Sequence, residues 1–364
     1  MTTHYYLAAD LHLGRRVRKT KQALRFDSYD ALDRLRNVLL ADTADQAVLV
    51  LAGDLFDRSE ITAHAHDALC AFTDELYQHN MRVFFVQGNH DNSSEDGYTH
   101  GGNAGCIPLH GGLTDVCGLS VYGLDWQPRE QLRAAITEVP PCDLLVLHCP
   151  MEHLLGFEGS WDLAIDDIPP HVQHVLVGDV HIADKHQLPS GGWCFSSGSL
   201  HPCTLAESGK HGCWRFDGTD AVYVEIPTRD IIRLELRTEA DVDAARATLS
   251  AIPDRRAERL EPFVDLRYLP ALAQVVDERL GSFFLRAHVL DSYLSSGFTE
   301  EAQTVDIEEL DPRDALPLVV DRKAEPEVFG FIDELLSLEP DSAVARINTM
   351  VENAVERLNT REDA

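Results

Sequence analysis

Lysine is scarce in this sequence, with five among 31 basic residues, and an excess of acidic residues gives a formal net charge of −30. An acidic, lysine-poor surface stays soluble at high salt, and it repels polyanions such as DNA. Any nucleic-acid contact would therefore need a local basic patch or a partner protein.

Long apolar runs and paired cysteines are also missing. No stretch is apolar over the length needed to cross a bilayer, and the N-terminus lacks the basic start and apolar segment of a secretion signal. The eight cysteines form no Cys-x-x-Cys pair, which argues against a disulfide framework or a zinc knuckle and favours reduced thiols. We therefore expect a cytoplasmic protein with no membrane partner. Its 364 residues predict one large domain with one or two small ones.

What the sequence does contain is a series of short apolar segments that end in polar residues. The clearest is 82–87, which runs into Gly88-Asn89-His90-Asp91 without a spacer. The polar residues at the five segment ends are Asp10 with His12, Asp54, Asn89 with His90, His148, and Asp179 with His181. Strands of one parallel-type sheet bring their carboxyl ends to one edge, so these side chains should converge. The alternative for each is a polar turn that caps a strand.

The residue types in this set suit a pair of divalent cations, because it combines three carboxylates, several imidazoles and one amide. Such mixed oxygen and nitrogen ligands fit manganese, iron or zinc, and the absence of thiolates argues against a structural zinc site. One carboxylate should bridge the ions, which lie about 3.5–4 Å apart in sites of this kind.

A dense positive run follows the first of these segment ends. Its basic residues are Arg15, Arg16, Arg18, Lys19 and Lys21. Their place beside Asp10 and His12 favours contact with a phosphate backbone, and a solvated charged loop is the alternative.

The composition changes near Gly218, and a small α+β unit of roughly βαβ type is predicted beyond it. Its predicted elements are strands at 230–237, 262–268 and 282–288 and a helix at 239–250. Residues 300–323 are acidic and contain proline, as is typical of a linker. After Pro340, apolar residues recur at spacings of three and four, which indicates a heptad seam. This seam is either a packed terminal helix or a docking surface for another chain.

The motif series resembles that of the calcineurin-like metallophosphoesterases. It consists of Asp-x-His, Gly-Asp-x-x-Asp, Gly-Asn-His-Asp, a strand-end His and Gly-x-x-His. The order, the spacing and the following small domain resemble the SbcD-type exonuclease subunits of double-strand-break repair. The resemblance implies an α/β fold, a two-sheet sandwich flanked by helices, with a small α+β capping domain and a helical C-terminal tail. It divides the chain into a nuclease domain (1–225), a DNA-capping domain (226–295), a linker (296–324) and a partner-docking tail (325–364).

The resemblance also implies a role for each site residue. One ion would be held by Asp10, His12 and His181, and the other by Asn89, His148 and Asp179, with Asp54 between them. His90 would bind no metal and would stabilise the transition state or protonate the leaving oxygen, and Asp57 would support the site. The family usually has His where this chain has Asp179. A harder, anionic ligand should favour manganese or magnesium over zinc there, or it could leave the second site weak.

The implied activity is metal-dependent hydrolysis of DNA by an exonuclease, with endonuclease activity also expected. It would serve DNA repair, recombination and replication within an SbcCD-like complex. The implied cofactors are two divalent ions, manganese with magnesium as the alternative. The implied partners are DNA, an SbcC-type SMC-like ATPase docked on the C-terminal helices, and a second copy of the chain. Two alternatives stay open, a phosphatase or phosphodiesterase for small substrates and a non-catalytic subunit that recruits DNA ends.

Overall fold

Two six-stranded mixed sheets form the larger part of the protein. The computed structural model describes residues 2–17, 24–25, 28–58, 61–91, 102, 104–155, 161–204, 207, 209–285 and 287–294. In these residues the strands are β1 Thr3–Ala8, β2 Arg16–Val17, β3 Leu24–Arg25, β4 Gln46–Ala52, β5 Arg82–Val86, β6 Ile107–Pro108, β7 Leu113–Val116, β8 Leu119–Leu124, β9 Cys142–His148, β10 Val172–Gly178, β11 Ala183–Gln187, β12 Trp193–Ser197, β13 Gly212–Phe216, β14 Ala221–Glu225, β15 Ile231–Leu236, β16 Phe263–Tyr268 and β17 His288–Tyr293. The α-helices are α1 Ser28–Leu40, α2 Ala63–Gln78, α3 Arg129–Thr137, α4 Glu152–Leu155, α5 Glu239–Ala251 and α6 Ala273–Leu280.

The first sheet has the order β14-β13-β1-β4-β5-β6. Strands β1, β4, β5 and β6 are parallel, and β13 pairs antiparallel with β1. The near-continuous apolar runs of β1, β4 and β5 are explained by burial on both faces. One face packs on the second sheet and the other on helices α1 and α2, through residues such as Leu35, Leu39 and Phe72. The carboxyl ends of β1, β4 and β5 consequently lie side by side.

The second sheet has the order β11-β12-β10-β9-β8-β7, and its strands β8, β9, β10 and β12 are parallel. Its inner face meets the first sheet in a shared core that includes Leu7, Val50, Val146 and Leu176. Its outer face is covered by α3, whose Leu132 and Ile136 are buried. The predicted two-sheet sandwich flanked by helices is therefore confirmed.

A smaller unit follows β14 and has its own core. Its parallel sheet β15-β16-β17 is connected through α5 and α6, and residues such as Val242, Leu266 and Val276 fill the space between sheet and helices. Polar contacts join this unit to α1, because Arg34 donates to the carbonyl oxygens of Pro227 and Glu258, at 3.2 Å each. Its role as a capping domain and its boundary at 225/226 stay predictions.

Two predictions about chain organisation were wrong. The five polar strand ends do not belong to one sheet, because β1, β4 and β5 lie in the first sheet and β9 and β10 in the second. Residues 282–288 do not form a strand, because a 3₁₀ turn occupies Gly281–Leu285 before β17. The small core includes Leu280, Phe283 and Phe284, whose spacing of three and four is helical. The strand prediction assumed instead that apolar side chains alternate with a period of two.

Two further expectations concern membranes and the C-terminal part of the chain. Among the described residues, no helix has the length and apolar character that a bilayer span requires. The predicted linker 296–324 and helical tail 325–364 lie outside the described residues.

Candidate metal centre

The predicted ligands meet at one point, where the strand ends of both sheets adjoin. They are Asp10, His12, Asp54, Asn89, His148, Asp179 and His181, and each contacts at least one other member of the set. Asp54 lies between two subgroups. Its Oδ2 is 3.5 Å from His12 Nε2 and its Oδ1 is 3.5 Å from His148 Nε2. This is the position that a bridging carboxylate requires.

The first subgroup contains Asp10, His12 and His181. The Nε2 atoms of His12 and His181 lie 3.0 Å apart, and His181 Nε2 is 3.9 Å from Asp10 Oδ1. The Nδ1 of His181 is 2.8 Å from Glu207 Oε1, which assigns the ring proton to Nδ1 and leaves Nε2 as an acceptor in the neutral ring. Two buried imidazole nitrogens and a carboxylate therefore face one point.

The second subgroup contains Asn89, His148 and Asp179. His148 Nδ1 donates to the carbonyl oxygen of Ala52 at 2.7 Å, so Nε2 is again the acceptor. That atom lies 3.0 Å from Asn89 Oδ1 and 3.6 Å from Asp179 Oδ1. His148 is buried, and acceptors that face one another without a donor between them fit divalent cations, so these residues suit the predicted metal pair.

The electrostatics of the buried set also call for added positive charge. Burial raises the pKa of Asp10 to about 6 although His181 and His148 oppose it. Burial disfavours the imidazolium of His148, but Asp54, Asp10 and Asp179 outweigh it and raise the pKa of that ring. Burial also opposes ionisation of Asp54, yet His148 and His12 keep its pKa low. The carboxylates thus attract either protons or cations to this point.

Unusual backbone geometry aims the ligands. Asp10, His12, Asp54 and Asp179 have φ values of 54°, 41°, 53° and 94°, a region that side chains other than glycine rarely adopt. Such residues cost about 1–3 kcal/mol each and persist where the surrounding structure holds them. Gly88 has a different reason to be glycine, because a Cβ there would overlap Asp54 Oδ1. Gly88, which follows β5, must therefore be glycine because the loop that carries Asp54 approaches it closely.

His90 differs from the proposed ligands in exposure and in contacts. Its side chain is 29% exposed, whereas those of His12 and His148 are at most 1% exposed. Its Nδ1 donates to the carbonyl oxygen of Asp57 at 2.7 Å, and its Nε2 lies 3.9 Å from Asp54 Oδ2. The ring is thus fixed beside the ligand set with one nitrogen available at its accessible side.

Asp57 and Arg15 form a pair beside His90 and His12. Arg15 donates to Asp57 Oδ1 at 2.9 Å and to the carbonyl oxygen of Cys203 at 3.1 Å. The backbone of Arg16 lies in β2, and Arg18, Lys19 and Lys21 lie outside the described residues. The interpretation of the basic run as a DNA-binding loop therefore stays a prediction, and the structure holds Arg15 against the protein itself.

Three supporting residues were not assigned a role from the sequence. Asp91 accepts hydrogen bonds from the backbone N–H groups of Leu55, Phe56 and Gly88, which joins the loops after β4 and β5. Glu207 orients His181 and also accepts from the N–H of Cys203. His201 Nε2 contacts the carbonyl oxygen of Leu11 at 3.1 Å, in the turn between Asp10 and His12.

Only Asp91 had a sequence signal, because it closes the Gly-Asn-His-Asp motif. Glu207 and His201 lie at no strand end of the pattern, and their roles depend on tertiary contacts. Such supporting partners fix the orientation and tautomer of ligating side chains.

Comparison with known proteins agrees with this geometry. A family model described as "Calcineurin-like phosphoesterase" matches residues 4–200. The chain is similar to the DNA double-strand break repair protein Mre11 of Saccharolobus solfataricus, with 25% identity over 193 residues, 48% of each chain. It is also similar to the protein of the same name from Sulfurisphaera tokodaii, with 23% identity over 251 residues, 64% of this chain and 62% of the relative.

The chain thus spans about half to two thirds of the length of these curated relatives. A solved structure described as a novel archaeal phosphodiesterase matches 61% of this chain and 99% of its own, at 10% identity and a TM-score of 0.35. At that score the match adds nothing to the family comparison.

Proposed function

The chain belongs to the calcineurin-like phosphoesterase family, and from this premise we propose that it is a metal-dependent DNA nuclease. As a member it is a hydrolase that acts on phosphoester bonds. The observation that carries the proposal is the convergence of Asp10, His12, Asp54, Asn89, His148, Asp179 and His181 around two adjoining subgroups of ligand atoms. The similarity to two proteins named for DNA double-strand break repair supports DNA as the substrate.

The ligand set defines what bound metal would contribute. Divalent cations held by the two subgroups would supply a water of lowered pKa and neutralise charge on a phosphate ester. The protein's own residues keep the site pre-organised. Glu207 and the carbonyl oxygen of Ala52 hold the ring protons of His181 and His148 on Nδ1, so that both Nε2 atoms face the site. The catalytic groups therefore need little reorganisation when substrate arrives.

His90 is the proposed catalytic residue that binds no metal. Its Nδ1–H is engaged by the carbonyl oxygen of Asp57, so a proton on Nε2 makes the ring cationic. A cationic ring at the accessible side of Asp54 would stabilise negative charge that develops on the phosphate or would give its proton to the leaving oxygen.

We propose manganese for the metal pair, with magnesium as the alternative. Asp179 contributes an anionic oxygen within 3.6 Å of His148 Nε2, in place of the imidazole that the resemblance predicts. Hard oxygen ligands shift preference from zinc toward manganese and magnesium.

The partners of this nuclease are also proposals. Positively charged Arg16, Arg18, Lys19 and Lys21 would hold the DNA backbone, and the unit built on β15–β17 would orient the duplex. The heptad seam after Pro340 would dock on an SbcC-type SMC-like ATPase, and two copies of the chain would act together. The spacing of three and four between apolar residues in this seam supports a helical partner.

An assay on end-labelled duplex DNA, with manganese and then magnesium, tests the proposed function. We expect manganese-dependent release of nucleotides from DNA ends. Cleavage of a chromogenic diester without cleavage of DNA would instead identify a small-substrate phosphodiesterase. Retained DNA binding with fewer than two ions per chain and no cleavage would identify a non-catalytic recruiting subunit. Digests with labels at either end also report the polarity of digestion.

A further inference from the structure

A second group of side chains of metal-ligand type is associated with the second sheet, whose strands β9 and β10 also lead to His148 and Asp179. His153 is on α4, which follows the end of β9, and Asp184 and His186 are on the edge strand β11. Asp184 and His186 are two residues apart on one strand, so their side chains share a face of the sheet. One ligand atom from each of the three residues lies within 4.8 Å of the others.

The ring nitrogens of His153 are candidate metal ligands. Its side chain is 11% exposed, and both ring nitrogens are buried without a hydrogen-bond partner in the described part of the chain. The nearest carboxylate oxygen, Asp184 Oδ2, is 3.7 Å from Nε2, which is longer than a hydrogen bond. Burying an imidazole without a partner is unfavourable, so these nitrogens require an explanation.

The surroundings of His153 favour a cation over a hydrogen-bond donor. The ring centroid of His186 is 4.8 Å from that of His153, and Glu152 and Asp166 line the same concavity. Burial and the neighbouring His186 lower the pKa of His153, which keeps its ring neutral and able to coordinate. Two imidazoles and one carboxylate, with further ligand positions open to solvent, form a donor set that zinc prefers.

We propose that His153, Asp184 and His186 form a third cation site that binds zinc or a similar divalent transition metal. The bound ion joins the edge strand β11 to the segment after β9. Each of these segments follows a proposed catalytic ligand, because His148 ends β9 and His181 lies two residues before the start of β11. The site is independent of the proposed nuclease activity, since it shares no residue with the catalytic set.

The test measures zinc bound by the full chain after metal has been removed. A chain carrying Asp10→Asn and Asp54→Asn disables the catalytic pair and serves as the background. In that background we expect one tightly bound zinc per chain, detected by equilibrium dialysis with elemental analysis. Adding His153→Gln and His186→Gln should weaken this binding by more than about 100-fold.

A cobalt spectrum gives a second readout. Cobalt bound to the background chain should show visible d–d absorption of a low-coordinate nitrogen and oxygen site, and the added substitutions should abolish it. His79→Gln, at the exposed end of α2, is the matched control and should change neither measurement. If the double substitution prevents folding, His186→Gln alone replaces it, because His186 is exposed. Equal zinc binding with and without these substitutions would overturn the proposal.

Discussion

The sequence Asp-x-His occurs three times in this protein, twice in turns after strands and once within a regular strand. These two structural settings can be compared. Asp10 with His12 and Asp179 with His181 lie in turns after strands, with Asp10, His12 and Asp179 in left-handed backbone. Asp184 with His186 lies within the regular strand β11. The same residue types at the same spacing therefore occur in two groups of possible metal ligands that differ in backbone conformation.

The difference lies in what holds the ligands. In the catalytic group, two of the three histidine ligands, His181 and His148, have the second ring nitrogen bound by Glu207 and by the carbonyl oxygen of Ala52, whereas Nδ1 of His12 has no hydrogen-bond partner among the described residues. In the third cation site, His153 has no such partner among the described residues. A regular strand places donor atoms on one face, but it does not fix their tautomers. We therefore expect the catalytic group to bind metal more tightly and with more defined geometry than the group around His153.

Asp54→Asn should give the largest effect in this comparison. The substitution alters a carboxylate whose two oxygens each lie 3.5 Å from a histidine Nε2 of a different subgroup, while the third cation site keeps all its ligands. We expect nuclease activity to fall by about 10⁴-fold or more, with loss of both catalytic ions and retention of zinc at the third site.

Activity and metal content of the purified variant check this prediction, with Asp45→Asn as control, because Asp45 is exposed and lies at the amino end of β4, where it contacts Thr2. Retention of two manganese ions by the Asp54 variant would contradict the bridging position of this carboxylate.

His90→Ala separates metal binding from chemistry within the catalytic group. His90 is near Asp54 but belongs to neither subgroup of ligands, so both ions should remain. Loss of a group that stabilises charge or transfers a proton should reduce DNA cleavage by about 10²–10⁴-fold. Manganese titration and a single-turnover assay measure the two effects, and His66→Ala, on α2, is the control. Loss of metal with loss of activity would show that His90 acts as a ligand.

The residues of the proposed metal centre could be predicted from the sequence because each lies at or soon after the end of an apolar strand. The apolar segment 82–87, which runs into Gly88, coincides with β5 except for its last residue. The sequence could not show that β9 and β10 belong to a second sheet, since strand pairing is a long-range property. It did not indicate the third cation site either, because His153 and Asp184 follow no glycine-closed apolar segment. The strand prediction at 282–288 was wrong for another reason, because a short apolar run fits both a strand and a helical turn.

Glu207→Gln tests whether the hydrogen-bond partners of the ligands, and not the ligand residue types, make the catalytic group bind metal more tightly. The amide keeps an acceptor for the His181 ring but removes the negative charge that holds the proton on Nδ1. Loss of a partner of this kind typically weakens metal binding by about 10–100-fold. Manganese affinity at constant pH measures the effect, and Glu225→Gln, an exposed carboxylate near Lys210, is the control. Unchanged affinity would mean that orientation of His181 contributes little.

His201→Gln should give the smallest effect, and it concerns a supporting contact that titrates. His201 is buried against the carbonyl oxygen of Leu11, and burial lowers its pKa to about 4, with Glu207 opposing and His211 contributing. The unfolded chain takes up this proton near pH 6.5, whereas the folded chain does so only near pH 4. The unfolded state therefore binds more protons between these values, and stability falls as pH decreases through that window.

At pH 5.5 this single histidine should reduce the free energy of unfolding by about 1 kcal/mol relative to pH 7.5. Glutamine can still donate to the Leu11 carbonyl oxygen but does not titrate, so the variant should lose less stability between the two pH values. Urea unfolding of metal-free wild type and variant at both pH values measures this difference, and the contributions of the other titrating groups cancel between the two proteins. An equal pH dependence in both would mean that His201 takes up its proton at the same pH in the folded and the unfolded chain, and burial against the turn carrying Asp10 and His12 would then not disfavour its charged form.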